Sequence, residues 1–570
     1  MMTIKTKISF FFFSYLITFG IVPCTWAKDI PKPGERPNII VILADDLGYS
    51  DIGCYGGEIQ TPNLDRLAKQ GLQFTQFYNI SRCCPSRASL LTGLYNHDAG
   101  IGDMTTPQDS SGYRGYIGRN AVTIAEVLKE AGYHTAMAGK WHVSNTLTQA
   151  NREEQMKWLN HQAEHPLFSP LDQYPTQRGF EQFYGTIWGV VDYYDPFSLV
   201  EGTTPVQSVP KGYYHTDAIS DKAVSYIRAL SQSDQPFFLY VAQNAPHWPV
   251  QALPEDIAKY QDTYKIGWEA IREQRYQKMI QLGLIDSTKT KLSPRYPGEI
   301  DWTNNPDSAW DAHAMAVHAA MVDRMDQGIG RILKALEETG ELDHTLIVFL
   351  SDNGASAESS AGYGPGFDRP GQTRDGQKIS YATDKSVLPG PQTTFFSIGQ
   401  NWANVANTPY RLWKSQSTEG GVHTPMLAFW PNGIQNPGTK TDQVGHVMDF
   451  MATFIELAGA NYPTSYKGNK ITPLQGISLV PVFEGNNSVG HEALFNEHEG
   501  SKYVRYQNWK LVQAIPDQQW HLYNLADDRT ELNDLAGTYP EKVKQLSAMW
   551  NQWAKEHHVL PKPGRKNKKK

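Results

Sequence analysis

The 570-residue chain reads as an α/β protein: a doubly wound, mostly parallel sheet flanked by helices, then a small antiparallel sheet with one packed helix. Three observations predict this. Several strand-length runs are apolar throughout and stop abruptly at polar residues. Helical patterns lie between those runs. From about Gly490 the texture changes to short strand-like pieces and one amphipathic stretch.

After the Pro-rich lead "DIPKPGERPN", the run "IIVILADD" from Ile39 to Asp46 is apolar and largely β-branched until it meets two carboxylates. "TLIVFLSDNG" from Thr345 to Gly354 repeats that design, and "HTAMAGKWH" (134–142) and "FFLYVAQNAPHWP" (237–249) vary it. Unbroken apolar runs fit strands covered on both faces, the habit of parallel sheets. Helices are predicted over 61–71, 123–132, 216–230 and 318–340, each capped by Thr or closed by Gly. Two long stretches, 143–210 and 355–410, are rich in Pro, Gly or Ser and read as loops, either cleft walls or disordered. Near the end, "SKYVRYQNWKLVQAI" and "WHLYNLAD" predict short strands, and "PEKVKQLSAMWNQWAKEHH" a helix. The expected organisation is a leader over 1–27, the large α/β domain over 36–485, an α+β subdomain over 486–560 and a basic tail over 561–570. There is no internal repeat.

At the N-terminus, Lys5 and Lys7 precede an apolar run from Ile8 to Val22, and small Ala27 precedes charged Lys28 and Asp29. This predicts a cleaved export signal and a periplasmic or secreted protein without a membrane anchor. A formal charge of -7 predicts no nucleic-acid binding, so strong electrostatics must be local. Of four cysteines, the leader holds Cys24, which leaves Cys54, Cys83 and Cys84. An odd count in an exported chain flags an unpaired or chemically used thiol. Adjacent Cα atoms lie about 3.8 Å apart, too close for a relaxed disulfide between Cys83 and Cys84. A Cys54–Cys84 bridge and two buried free thiols both stay open.

Parallel α/β sheets bind ligands beyond the carboxyl ends of their strands, and the chemically interesting residues sit there. Asp45, Asp46, Asp352 and Asn353 are hard oxygen donors; crowded together they would suit Ca²⁺ or Mg²⁺ rather than zinc, although either pair alone reads more readily as a turn or helix cap. Lys140, His142 and His247 also follow strands, and Lys414 lies in "LWKSQSTEGG". Cations beside a metal would make a pocket for a small dense anion. In "SRCCPSRASLLTG", Pro85 suits a first helical turn and Gly93 an end. Cys83 and Cys84 then stand at a helix entrance, where backbone N–H groups favour anions and lower a thiol's pKa, with Arg87 on the first turn.

"CCPSRASLLTG" fits the type I sulfatase signature Cys-x-Pro-Ser-Arg-x-x-x-Leu-Thr-Gly, and "ADD", "GKWH", "NAPHWP", "SDNG" and "K-x-x-x-x-E-G-G" follow in the family's order. From about Pro37 to "LYNLADDRTELNDLA" the chain resembles a bacterial arylsulfatase-like sulfatase, which implies the alkaline-phosphatase-like fold. The resemblance further implies that Cys83 is converted by a formylglycine-generating enzyme to Cα-formylglycine (3-oxoalanine), with Cys84 the variable position. In the family mechanism one hydroxyl of the hydrated aldehyde attacks sulfur, and the other drives expulsion of sulfate by re-forming the aldehyde. Carried over by residue, Asp45, Asp46, Asp352 and Asn353, with the oxygen at Cys83, would bind one Ca²⁺, Mg²⁺ being the lesser choice. Asp352 is a candidate base and Arg87 would orient the hydrate. Lys140 and Lys414 would neutralise sulfate oxygens; His247 would protonate the leaving group and His142 take a proton as sulfate departs.

The implied substrates are sulfated small molecules or glycans, aryl or carbohydrate. A phosphonate or phosphodiester hydrolase of the same fold, and a non-catalytic binder of sulfated glycans, are the alternative readings. The chain departs from many relatives at "GVHTP", where His423 replaces Arg, which touches packing or substrate contacts rather than the metal and sulfate set. "WGVVDYYDPF" (188–197) offers aromatics for stacking on a substrate ring or for core packing.

Overall fold

The computed structural model describes residues 36–296, 298–359, 363–381, 385–486 and 488–562; the expected leader and most of the basic tail lie outside them. The main sheet has ten strands. In chain order they are β1 (Asn38–Ala44), β2 (Leu72–Phe74), β3 (His134–Gly139), β4 (Gln182–Thr186), β5 (Leu199–Glu201), β6 (Thr204–Pro205), β7 (Phe237–Ala242), β8 (Thr345–Ser351), β9 (Met426–Phe429) and β10 (Thr439–Thr441). Across the sheet the order is β10-β2-β9-β8-β1-β7-β3-β4-β5-β6.

The five strands β8, β1, β7, β3 and β4 run parallel, so all end on one edge of the sheet. Antiparallel pairings flank them, β9 against β8 on one side and β5 against β4 on the other. Alternation along β1 explains why its sequence is apolar throughout. Ile40, Ile42 and Ala44 enter a core with helices α1 (Pro62–Gln70), α4 (His215–Leu230) and α5 (Ser308–Thr339). Ile39, Val41 and Leu43 enter a second core with α2 (Cys83–Thr92), α3 (Ile124–Glu130) and α6 (Asp449–Ala458). Each fully buried Ile, Val or Leu contributes about 1.5–3 kcal/mol, so these two layers hold the strand ends rigidly.

All four predicted helices form, the last beginning ten residues earlier than its pattern, at Ser308. Residues 143–210, read as loop, also contain a helix at Arg152–Leu159 and the strands β4 to β6 that extend the sheet. Those strands are short and lie toward one margin of the sheet, which leaves little apolar signal to read. The C-terminal sheet is antiparallel: β11 (Ala493–His498), β12 (Ser501–Tyr506), β13 (Trp509–Gln513) and β14 (His521–Asn524), covered by α7 (Pro540–Glu556). Leu546, Trp550 and Trp553 of α7 pack on Val504, Leu511 and Leu522 of that sheet. Among the described residues no helix is long and apolar enough to cross a membrane.

Candidate active site

Parallel pairing delivers the predicted residues to one place. Asp45 and Asp46 follow β1, Asp352 and Asn353 follow β8, Lys140 and His142 follow β3, and His247 lies just beyond β7. Adjacent ends are locked by backbone bonds, Asp352 N to Ala44 O at 3.2 Å and Lys140 N to Ala242 O at 2.7 Å. Gly139 is required at its turn: its φ is +111°, in the left-handed range, and a Cβ there would lie 1.9 Å from Ala242 O.

Helix α2 brings Cys83 as its first residue, with extended Arg82 before it and Gly93 in the left-handed conformation after it. All ten of its side chains are buried. One turn on from Cys83, Arg87 donates to Asp352 Oδ2 from Nε at 3.0 Å and to the Lys140 carbonyl from Nη1 at 3.0 Å, and its Nη2 pairs with Asp352 Oδ2 at 2.9 Å. Lys140 Nζ donates to Asp45 Oδ2 at 2.5 Å. Lys414 Nζ donates to Asp46 Oδ2 at 2.9 Å, and Asn353 Nδ2 to Asp46 Oδ1 at 2.6 Å. Asp46 and His142 hold positive φ, 66° and 54°, a strained conformation that these surrounding bonds maintain.

Three carboxylates thus face three cations, yet the set is not saturated. Asp45 Oδ1 and Asn353 Oδ1 are buried without a hydrogen-bond partner. Burial, and then the charge of Asp352, push the Asp45 carboxyl up to about 7. Burial likewise raises Asp352. Hard oxygens left without partners fit a hard divalent cation, so the donor set passes the test for Ca²⁺ or Mg²⁺.

Cys83 Sγ, Cys84 Sγ and a His142 ring nitrogen lie within 4.8 Å of one another. A hydrogen bond from Cys84 holds the Cys83 thiol well below its usual range against burial, with His142, Lys140 and Lys414 adding to the effect. Burial brings His142 down to about 4, and a Cβ at Gly189 would lie 2.3 Å from its ring. His247 Nδ1 meets the Trp248 carbonyl at 2.5 Å, which assigns the proton to Nδ1 and leaves Nε2 to accept from Lys414 Nζ at 3.1 Å.

Cys83, His142, His247 and Lys414 line one cavity of about 290 Å³. Arg82 and Glu358 line it too, and isolated residues of this kind escape sequence reading. Glu358 pairs with Arg82 at 2.8 Å and Lys414 at 3.3 Å and accepts from the Trp248 indole at 3.0 Å. The one available signal was position: Arg82 abuts the cysteine motif and Glu358 lies shortly after Asn353.

Residues from both predicted loop stretches, Trp188 and Gly189 from one and Glu358 and Asp368 from the other, form walls of this cavity. Trp188 and Phe197 are also buried and pack edge-on against Trp158 and Phe168, so core packing claims most of "WGVVDYYDPF". His423 is buried, bonded to Glu419 at 3.1 Å and stacked on Tyr78, a packing role away from the cavity. Cys54, Cys83 and Cys84 are all free; Cys54 packs on one core and Cys84 in the other, across the sheet, so the bridge does not form.

The family model for sulfatases matches residues 37–460. The chain belongs to the sulfatase family. A second model, the C-terminal region of N-sulphoglucosamine sulphohydrolase, matches residues 413–557 of this sulfatase. An uncharacterised sulfatase of Schizosaccharomyces pombe is 31% identical over 93% of this chain and 95% of its own. The arylsulfatase of Klebsiella aerogenes is 33% identical over 78% of this chain and 91% of its own. The crystal structure of Ps i-CgsB in complex with k-i-k-neocarrahexaose superposes with a TM-score of 0.63 at 25% identity, covering 91% of this chain and 93% of that one. The fold is therefore the alkaline-phosphatase-like fold of sulfatases, and the chain is a sulfuric ester hydrolase.

Proposed function

We propose that this sulfatase hydrolyses sulfate monoesters of carbohydrate or aryl alcohols to the alcohol and inorganic sulfate, with Cys83 matured to formylglycine by a formylglycine-generating enzyme. The observation that carries the reading is the buried network of three cations, Arg87, Lys140 and Lys414, bonded to the oxygen donors Asp352, Asp45 and Asp46, with Lys414 and Cys83 reaching the cavity. The hydrate of the matured residue supplies a nucleophilic hydroxyl for sulfur and a second hydroxyl whose deprotonation expels sulfate. Asp45, Asp46, Asp352 and Asn353 would hold one Ca²⁺, or Mg²⁺ less favourably, and the ion would supply positive charge to the sulfate oxygens and acidify the attacking hydroxyl.

The remaining work falls to this chain's own groups. Arg87, held by Asp352 and the Lys140 carbonyl, lies four residues from position 83 on the same helix face and orients it. Lys140 and Lys414 neutralise charge that builds on sulfate oxygens. His247 keeps one proton on Nδ1 against the Trp248 carbonyl; protonated at Nε2 as well, the imidazolium gives that second proton to the leaving oxygen and returns to the neutral ring. His142, whose Nδ1 has no hydrogen-bond partner, accepts the proton from position 83. Residues 36–485 form the catalytic domain in this reading, 486–560 a C-terminal subdomain and 561–570 a basic tail. Residues 1–27 direct export to the periplasm or beyond.

Turnover of a nitrophenyl sulfate against a phosphonate monoester tests the proposal. Preference for the sulfate, lost on chelation and restored by Ca²⁺ better than by Mg²⁺, is the expected result. Preference for the phosphonate overturns it, as does binding of sulfated glycans with no turnover by native enzyme.

A further inference from the structure

The hairpin between β11 and β12 carries an imidazole that neither the fold nor the reaction uses. Its turn is Glu499-Gly500, flanked by the paired residues His498 and Ser501, and both turn residues hold positive φ, 50° and 101°. His498 is 0% exposed, yet among the described residues neither of its ring nitrogens has a hydrogen-bond partner. Its Nε2 lies 3.8 Å from Glu499 Oε2, beyond hydrogen-bond reach. Asp103 comes to the same place from the loop that follows α2. Its Oδ2 accepts from Gln108 Nε2 at 3.0 Å, while its Oδ1 is buried without a partner. One ligand atom from each of Asp103, His498 and Glu499 lies within 4.8 Å of the others.

A buried ring with both nitrogens unpaired calls for a reason, and two carboxylates facing it call for a cation. Burial holds the His498 ring below its ordinary range, so it is neutral and offers a lone pair. Two carboxylate oxygens would balance a divalent charge. Bonds of about 2.0–2.2 Å set the donors of one tetrahedral ion roughly 3.3–3.6 Å apart. Rotation of Glu499, whose side chain is 36% exposed, closes the set to that spacing and leaves a fourth position for solvent. The imidazole nitrogen separates this site from the all-oxygen set beside Cys83 and suits zinc rather than Ca²⁺ or Mg²⁺.

We propose that Asp103, His498 and Glu499 bind one Zn²⁺, which staples the C-terminal hairpin to the loop beside the cysteine motif. The Asp103 carbonyl accepts from Cys84 Sγ at 3.7 Å, and Met104 lines the cavity. On the hairpin, Ser501 accepts from Ser417 N at 2.7 Å, in the segment that carries Lys414. The ion therefore ties together two walls of the cavity without touching the reacting atoms. The inference goes beyond the sulfatase reading and does not depend on which ester the cavity takes.

The test strips the full chain of metal with a chelator, restores excess Ca²⁺ and titrates in Zn²⁺ by calorimetry, alongside elemental analysis of the zinc retained. The expected result is one Zn²⁺ per chain and a melting temperature that rises by several degrees at saturation. The dissociation constant should weaken at least about 10-fold in Glu499→Gln and about 100-fold in His498→Ala. Glu499→Gln lies at the surface, so it keeps the test open if His498→Ala fails to fold. Co²⁺ in place of zinc reads the ligands, since the other nitrogen-bearing cluster, Cys83, Cys84 and His142, would give intense thiolate charge-transfer bands. A native chain that binds no zinc overturns the proposal, as do those thiolate bands or an affinity unmoved in Glu499→Gln.

Discussion

Glu419 and Asp45 are both buried carboxylates beside lysines, and the two are satisfied to very different degrees. Glu419 Oε1 accepts from Lys510 at 2.6 Å, and its Oε2 meets the Tyr78 hydroxyl at 2.8 Å and His423 at 3.1 Å. Against burial, Lys510 and His423 hold its carboxyl far below the usual range. Lys510 also pairs with Glu531 at 2.9 Å, and Glu531 with Arg411 at 3.3 Å. Asp45, in contrast, spends one oxygen on Lys140, leaves the other without a partner and is pushed up to about 7. A network that closes on itself serves the fold; one that leaves oxygens open is arranged for something it binds. Both act on the same loop, since Glu419 anchors the segment that carries Lys414, and Ser501 of the C-terminal sheet accepts from Ser417 N at 2.7 Å.

The sharpest way to break this contrast is at the open network. Cys83→Ala is expected to lower kcat/KM at least about 10³-fold while the melting temperature moves by no more than a few degrees, measured by nitrophenyl sulfate turnover and calorimetry. A large fall in stability instead would mean that the site is needed to hold the sheet edge together.

At the closed network the expectation reverses. Lys510→Met leaves Glu419 and Glu531 buried without their cation and should cost about 3–5 kcal/mol in denaturant unfolding. Activity would fall as well, through the Lys414 loop, and a variant with full stability would show that the cluster does not clamp it.

Those two networks also differ in how far the sequence discloses them. The oxygen donors of the open one each follow an apolar strand, a pattern legible because parallel strands are buried on both faces and their polar ends stand out. Lys510 and Glu419 lie 91 residues apart in unrelated local patterns, and only the docking of the C-terminal sheet brings them together. Glu358 and Asp368 were hidden for the same reason: single charged residues in a Gly-rich stretch acquire meaning only from the wall they join. The strand β4 was missed because five residues, one of them glycine, carry too little periodicity.

Acid should separate the buried network residues from other buried groups. Burial holds His215 at about 4 and His446 at about 3, against an ordinary 6.5. The folded state therefore resists protonation that the unfolded state accepts. Stability from these two is complete above 6.5 and is lost as pH falls toward 4 and then 3, so the melting temperature should decline steadily below 6.5. His446→Gln should flatten that slope, and an unchanged slope in this variant would remove His446 as a cause.

The smallest effect concerns the thiols. Because all three described cysteines are free, added reductant should shift the melting temperature by less than about 1 °C; a drop of several degrees would reveal a disulfide.

Catalysis turns on what stands at position 83. Mass spectrometry of the tryptic fragment from Cys83 to Arg87, taken from active enzyme matured in its host, reads it directly. The expected spectrum shows the mass of formylglycine at position 83, with the thiol of Cys84 intact and alkylatable. Fully active enzyme whose fragment carries two unmodified thiols, and no formylglycine, would contradict it.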